Sequence, residues 1–156
     1  MKYKRLSSEE LQALEPEFIN FLASNSITAP DWLALKEEDM TRVDELIDLF
    51  SDMVFENILQ KTTYVEYLSP RDLMIFHCKE DSLHMVGIQL SEECAIDLTD
   101  EDFFDVWQTT EGIRGIQVYS KEKKYTGERT IDVFQLIESG CVITDDKLFN
   151  TLLKLC

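Results

Sequence analysis

The chain has 156 residues, with 31 Asp and Glu against 15 Lys and Arg, so its formal net charge is -16 at pH 7. A nucleic-acid backbone and an anionic membrane surface both select clustered Lys and Arg, so this charge disfavours direct binding to either one. With 44% hydrophobic and 10% aromatic residues the chain can still build a full core, which excludes disorder as the reason for its acidity. Its length predicts a single globular domain over residues 1–156.

The start of the chain and its cysteines indicate the compartment. The stretch from Met1 to Leu6 leads into Ser and Glu instead of an apolar run, which predicts neither a signal peptide nor a membrane span. The cysteines show no Cys-x-x-Cys pair, so reduced thiols are favoured over a zinc site; they are Cys78, Cys94, Cys141 and Cys156. We therefore expect a cytoplasmic protein.

Short helical segments are predicted before residue 40. Ser7 and Glu10 form a capping box at the start of the first helix, and a kink or a restart is predicted at Pro16, with the helix running on to about Ala23. Pro30 is typical of the first turn of another short helix, in which Trp32 is predicted to belong to the core.

The longest helix is predicted over 40–60, because apolar residues recur there at 3.6-residue spacing. Its predicted core face consists of Val43, Leu46, Ile47, Phe50, Met53, Val54 and Ile58. The opposite side carries what we call the acidic row, Asp44, Asp48, Asp52 and Glu56. Like charges four residues apart repel one another, and no Lys or Arg interrupts the row. Phe55 and Leu59 project toward the same side.

The acidic row is the candidate partner-binding site. The residues predicted to contact a partner are Asp44, Asp48, Asp52, Phe55, Glu56 and Leu59. Two alternatives stay open: a solvated face with incidental apolar residues, and burial of the apolar residues by an element whose position the sequence does not give.

An antiparallel β-meander is predicted over about 62–90, with a further strand over about 113–120. Residues 62–68 form the first strand, and a hairpin of 73–79 and 82–90 turns at Glu80 and Asp81. This turn places His77 opposite His84, Ile75 opposite Val86 and Leu73 opposite Ile88.

Both faces of this hairpin are apolar, since Met74, Phe76, Cys78, Leu83 and Met85 point away from the first set. An antiparallel sheet covered on only one side has a polar second face, so we expect cover on both sides. The long helix would cover one face, and the terminal helices or a second copy of the protein would cover the other. The predicted fold class is therefore α+β, a meander packed by N-terminal and C-terminal helices, with a homodimer through the sheet as one way to complete it.

The rest of the chain alternates acidic, basic and apolar segments. Thr99 is predicted to cap a short helix with Asp102 completing the box, and Phe103, Phe104 and Trp107 anchor that helix to the core. The strand over 113–120 is followed by a basic run over 121–124. Residues 130–139 are predicted to be helical, with a strand as the alternative, and 145–155 forms the closing helix.

No motif for a cofactor or a catalytic site is evident. Five glycines leave no phosphate-binding loop, and the acids lie on faces predicted to be exposed, where a carboxyl does not acquire the raised pKa of a general acid. Two histidines, His77 and His84, lack a closed set of metal ligands. We therefore expect no cofactor and no metal.

The chain resembles an uncharacterised family of small acidic bacterial proteins that has no assigned activity. The resemblance lies in Lys4-Arg5-Leu6-Ser7, Glu17-Phe18-Ile19-Asn20-Phe21-Leu22, Ile27-Thr28-Ala29, Trp32 and Phe50-Ser51-Asp52 onward. The order of elements also looks like that of the type III secretion chaperones, an analogy of fold that carries no residues over.

Two functions remain from the sequence. The first is a non-enzymatic protein-interaction module, an adaptor, chaperone or inhibitor, which presents an acidic and partly apolar surface to a basic or amphipathic protein partner. The second is a small enzyme with a weakly marked carboxylate site. The absence of glycine-rich loops and histidine clusters favours the first.

Overall fold

The computed structural model describes residues 1–109 and 115–156, without the side chains of residues 106, 108 and 109. The chain divides into two compact units, Met1–Gln60 and Lys61–Cys156. The single domain expected from the length stays a prediction.

The first unit is helical, and local sequence signals set its boundaries. Its helices are α1 (Ser8–Ala13), α2 (Glu15–Ser24), α3 (Ala29–Glu38) and α4 (Met40–Lys61). The capping box of Ser7 and Glu10 is confirmed, and Pro16 lies in the first turn of α2. Thr28 caps α3 in a second box with Asp31. The first helix is thus confirmed, and of the kink and the restart expected at Pro16 the structure has the restart.

An aromatic cluster packs the helices of this unit. The ring of Phe18 lies 5.0 Å from that of Phe50 and 5.2 Å from that of Trp32, and Phe21 lies 5.4 Å from Phe50. Val43, Leu46 and Phe50 are buried, as predicted. Trp32 is only half-buried, because it lies at the rim of the cluster with the Lys36 ammonium 5.5 Å from its ring centroid.

The prediction of the core face of α4 is wrong toward the C-terminal end of this helix. Met53 and Ile58 are 42% and 44% exposed, although both share the apolar side with Phe50. Helical spacing reports which residues lie on one side of a helix, and it does not report how far along the helix that side is covered. The cluster meets α4 at Phe50, and the exposed residues lie one and two turns beyond it.

The second unit contains an antiparallel sheet with strand order β4-β3-β2-β1-β5. The strands are β1 (Tyr64–Leu68), β2 (Asp72–Cys78), β3 (Ser82–Leu90), β4 (Ile116–Lys124) and β5 (Val142–Thr144). The helices are α5 (Phe103–Thr109), α6 (Arg129–Glu138) and α7 (Lys147–Leu153). The α+β class and the meander are confirmed.

The register of the hairpin is also confirmed. His77 pairs with His84, Ile75 with Val86 and Leu73 with Ile88. The strand β5, which pairs with β1, was not predicted, because three residues are too few to show a period of two.

Three other segments differ from or refine the sequence prediction. The basic run over 121–124 lies inside β4 instead of following it, because pairing with β3 continues to Lys124. The segment predicted over 130–139 is helical through Glu138, as α6 shows, and the closing helix is shorter than predicted. Ile113, where the fourth strand was expected to begin, lies outside the described residues.

Both faces of the sheet are apolar. On one face, Phe103 of α5 and Phe149 and Leu152 of α7 join the core formed by the strands; the strand residues are Leu73, Ile75, Val86 and Ile88. On the other face Phe76, Cys78 and Leu83 are buried, while Met74 and Met85 are half-buried. Packing of N-terminal helices or of a second copy on the sheet stays a prediction.

Two arginines fasten loops of this unit through backbone carbonyls. Arg71 donates to the carbonyls of Ser91, at 2.7 Å, and of Cys94. Arg129 donates to the carbonyls of Lys79 at 3.1 Å and Cys78 at 3.0 Å, and also to that of Thr62. Carbonyls left without partners at strand ends are costly, so these guanidinium groups stabilise the loops directly.

Candidate functional site

The acidic row of α4 is covered by the beginning of the same chain. Residues 2–6, which we call the N-terminal strap, run antiparallel to α4. Lys2 meets the far end of the row at Glu56, and Arg5 meets its near end at Asp44 and Asp48. The row and the strap both belong to the first unit.

Asp52 binds the backbone of the strap. Its two carboxylate oxygens accept the N–H groups of Lys2 at 2.7 Å and of Tyr3 at 2.9 Å. Charge-assisted bonds of this kind are stronger than neutral ones. Because they use the main chain, they recognise an extended segment whatever its side chains are.

Glu56 binds the side chains of the strap. It accepts hydrogen bonds from the Tyr3 hydroxyl, from the Lys2 ammonium at 3.0 Å and from the Gln60 amide at 3.0 Å. The Tyr3 hydrogen bond, followed by that from Lys2, lowers the pKa of Glu56 below its ordinary value of 4.5. This carboxylate is therefore ionised at neutral pH.

Arg5 spans the two remaining acids. Its Nε lies 2.6 Å from Asp48 and its Nη1 lies 3.3 Å from Asp44. The Arg5 hydrogen bond lowers the pKa of Asp48 below its ordinary value of 3.8. The Arg5 side chain remains 45% exposed, so solvent and salt screen both ion pairs.

A buried serine anchors the end of the strap. Ser51 is 0% exposed, and its hydroxyl oxygen accepts the N–H of Leu6 at 3.0 Å while donating to the Ile47 carbonyl at 2.7 Å. Leu6 is itself only 5% exposed. The sequence analysis did not predict the role of Ser51. The signal for it in the sequence is a serine that interrupts the apolar side of a long helix.

The two apolar residues of the predicted site have different surroundings. Phe55 is half-buried, with the Tyr3 ring 6.0 Å away and the Lys4 ammonium 5.8 Å from its centroid. Leu59 is 1% exposed, so it belongs to the interior and offers no surface to a partner. Leu59 therefore follows the second alternative of the sequence analysis, burial of an apolar residue of the predicted site. Phe50 and Leu59 lie on opposite sides of α4, and both are buried, so the buried side of the helix changes between them.

A second group of acids lines a cavity of about 300 Å³ in the other unit, formed by Ala95, Ile96, Asp97, Asp100, Asp102 and Phe103. Thr99 does not cap the helix as predicted: α5 begins only at Phe103, and the Thr99 N–H instead donates to Asp97 at 2.8 Å. Hydrogen bonds from the Thr99 side chain, and then from its backbone, lower the pKa of Asp97. An acid of lowered pKa is ionised at neutral pH and cannot donate a proton there.

The histidine pair is packed among aromatic rings. The His77 ring stacks on Tyr64 at 4.5 Å, and Phe149 meets both histidines edge-on. Burial is the main cause of a lowered pKa at His77. Within residues 1–109 and 115–156 no group of three or more His, Cys, Asp or Glu is arranged to hold a metal ion.

Two of the buried cysteines, Cys78 and Cys141, are not activated. Burial raises the pKa of Cys78 to about 11, and it also raises the pKa of Cys141. Both are therefore thiols at neutral pH, whereas nucleophilic cysteines are thiolates.

The fold and this site define a small acidic α+β protein in which the acidic row of α4 is occupied by the basic N-terminal strap. The chain belongs to a family of unknown function, DUF6495, whose model matches residues 1–156. No curated protein and no solved structure matches the chain. The likeness to the type III secretion chaperones therefore has no support. None of the described helices combines the length and the apolar character that crossing a membrane requires.

Proposed function

We propose that the protein is a non-enzymatic protein-interaction module of the adaptor or inhibitor kind, which presents the acidic row and Phe55 to a basic or amphipathic segment of a protein partner. The observation that supports this proposal is the strap itself. A basic segment with an aromatic residue is bound on this surface through ion pairs, main-chain hydrogen bonds and a ring contact.

The electrostatics of the row suit recognition of a cationic segment. Asp48 and Glu56 are ionised at neutral pH, since the pKa of each is lowered. Complementary charge chiefly raises the association rate and the selectivity of a complex. With a net charge of -16 the chain as a whole also attracts basic proteins.

The alternative is a small enzyme that uses a carboxylate site, for which the cavity beside Asp97 is the strongest candidate. Catalysis by a general acid at neutral pH needs a carboxyl whose pKa is raised. In the described part of the chain the carboxyl groups with a shifted pKa are Glu10, Asp31, Asp48, Glu56, Asp97 and Glu122, and each is lowered. This pattern favours binding over proton transfer.

We further propose that the protein acts in the cytoplasm and binds neither nucleic acid nor membrane directly. The buried free thiols of Cys78, Cys94 and Cys141 are consistent with a reducing compartment. The acidity argues against phosphate-rich surfaces.

The test is a comparison of captured proteins. The parent protein, the variant Asp48→Asn with Asp52→Asn, and the control variant Glu92→Gln with Glu93→Gln are each used to capture proteins from native cytosol at low and high salt. Both variants lose the same amount of negative charge, and Glu92 and Glu93 are exposed residues outside α4. We expect the parent and the control to retain a common, salt-sensitive basic protein that the row variant does not retain. Identical captured sets for all three proteins would refute the proposal.

A further inference from the structure

We infer that the N-terminal strap is an autoinhibitory contact: it competes for the acidic row with an extended basic segment of the partner, which must displace it to bind. This inference rests on the proposed function and specifies how its site is regulated.

The strap and the row have dimensions that fit one another. From Asp44 to Glu56 an α-helix rises by about 18 Å, at 1.5 Å per residue. Residues 2–6, when extended, span about 13 Å, and the long side chains of Lys2 and Arg5 reach the two ends of the row. An extended segment can therefore place consecutive main-chain N–H groups on Asp52 while an arginine two residues further along reaches Asp48, as Arg5 does.

The contacts of the strap are of a kind that a partner can replace. The ion pairs are partly exposed, with Lys2 at 35%, Glu56 at 31% and Asp44 at 49%, and exposed ion pairs are individually weak. The N–H groups bound by Asp52 are main-chain groups, which any other extended segment supplies equally well.

The strap also has a defined hinge. Ser7 caps α1 and is fixed by the reciprocal bonds of its box with Glu10. Leu6 is buried and bonded to Ser51. Residues 2–5 can therefore leave the row while Leu6 and everything after it stay in place, so opening does not require the helical unit to unfold.

A tethered competitor has a large effect on affinity. A short tether presents its segment at an effective concentration on the order of millimolar. The apparent affinity of a partner is reduced in proportion to the fraction of molecules in which the row is open. A peptide in solution should consequently bind much more tightly to a variant whose strap cannot close.

The probe is a fluorescently labelled synthetic peptide with the sequence of residues 1–6, whose binding to full-length protein is followed by fluorescence anisotropy. The open variant carries Lys2→Glu with Arg5→Glu. The matched control carries Lys123→Glu with Lys124→Glu, which makes the same change in net charge at exposed positions of β4. We expect the Kd of the peptide to be at least about tenfold lower for the open variant than for the parent or the control.

A milder variant, Arg5→Gln, guards against misfolding of the double variant, and it should lower the Kd by a smaller factor. Adding Asp48→Asn and Asp52→Asn to the open variant should abolish the gain. Far-UV circular dichroism checks that each protein is folded.

Three results would overturn the inference: equal Kd values for the parent and the open variant, no binding of the peptide to either, or an equal gain in the charge-matched control. A dimer of the open variant in light scattering that excludes the peptide would also overturn it, in favour of exchange between copies. If the peptide test fails while salt-sensitive capture by the row persists, only the autoinhibition is lost. If capture fails as well, the proposed function is lost too.

Discussion

Replacing Ser51 with alanine removes the buried hydrogen bond that fastens the strap to α4. The Leu6 N–H then lies in the interior without its acceptor, and leaving a buried donor unsatisfied costs about 1–3 kcal/mol. The lost bond from Ser51 to Ile47 adds little, because a helical carbonyl retains its main-chain partner. Alanine recovers about 0.5 kcal/mol through its higher helix propensity. We expect the free energy of unfolding to fall by about 1–2 kcal/mol.

Urea denaturation followed by circular dichroism measures this change, and amide hydrogen exchange at Leu6 reports the bond itself. The matched control is Ser24→Ala, because the Ser24 hydroxyl also donates to a carbonyl four residues earlier, at 2.9 Å, but is exposed and lies on α2. The control should change stability by less than about 0.5 kcal/mol. Unchanged stability in the Ser51 variant, with the Leu6 amide still protected, would show that the reasoning about this anchor is wrong.

Three further predictions concern other features. Gly87→Ala should destabilise the protein by about 1 kcal/mol, because a Cβ there would lie 2.6 Å from Cζ of Tyr119 and the half-buried ring would have to shift; urea denaturation measures this, and a smaller cost of Gly87→Ala in a Tyr119→Ala background would identify the contact as its cause. The pKa values of Asp48 and Glu56 are lowered in the folded state, so their ionised forms stabilise the fold above about pH 4.5, and this stability is lost as the pH falls through the lowered pKa values. Measuring the free energy of unfolding from pH 6 to 2 tests this, and an Arg5→Gln variant with an unchanged pH profile would contradict it. Elemental analysis of protein purified without chelators should show no stoichiometric metal, and zinc or iron that disappears in His77→Ala would contradict this.

Local signals in the sequence predicted most of the fold. The capping box at Ser7 and the two-residue turn between the hairpin strands each act within a few residues, so they give boundaries and register directly. The strand β5 could not be found in the same way. It consists of three residues, and it is a strand only because β1 offers it an edge.

The candidate site was predicted only in part, for a related reason. Spacing along α4 identified the acidic row, but the charges that bind it come from Lys2 and Arg5, which lie 39 to 54 positions away. Nothing in the periodicity of a helix encodes such a contact. The available clue was compositional: in a chain with only 15 basic residues, three of them lie between residues 2 and 5.

The way in which Arg71 is bound affects how freely the loop after β3 can vary. The guanidinium holds this loop by its carbonyls, at Ser91 and Cys94, and within residues 1–109 and 115–156 it pairs with no carboxylate. Carbonyls do not titrate, and every residue type supplies one. Exposed acids such as Glu92 and Glu93 can therefore be exchanged for neutral residues, or for one another, without loosening the loop. The path of this segment therefore does not depend on the charge that its side chains carry.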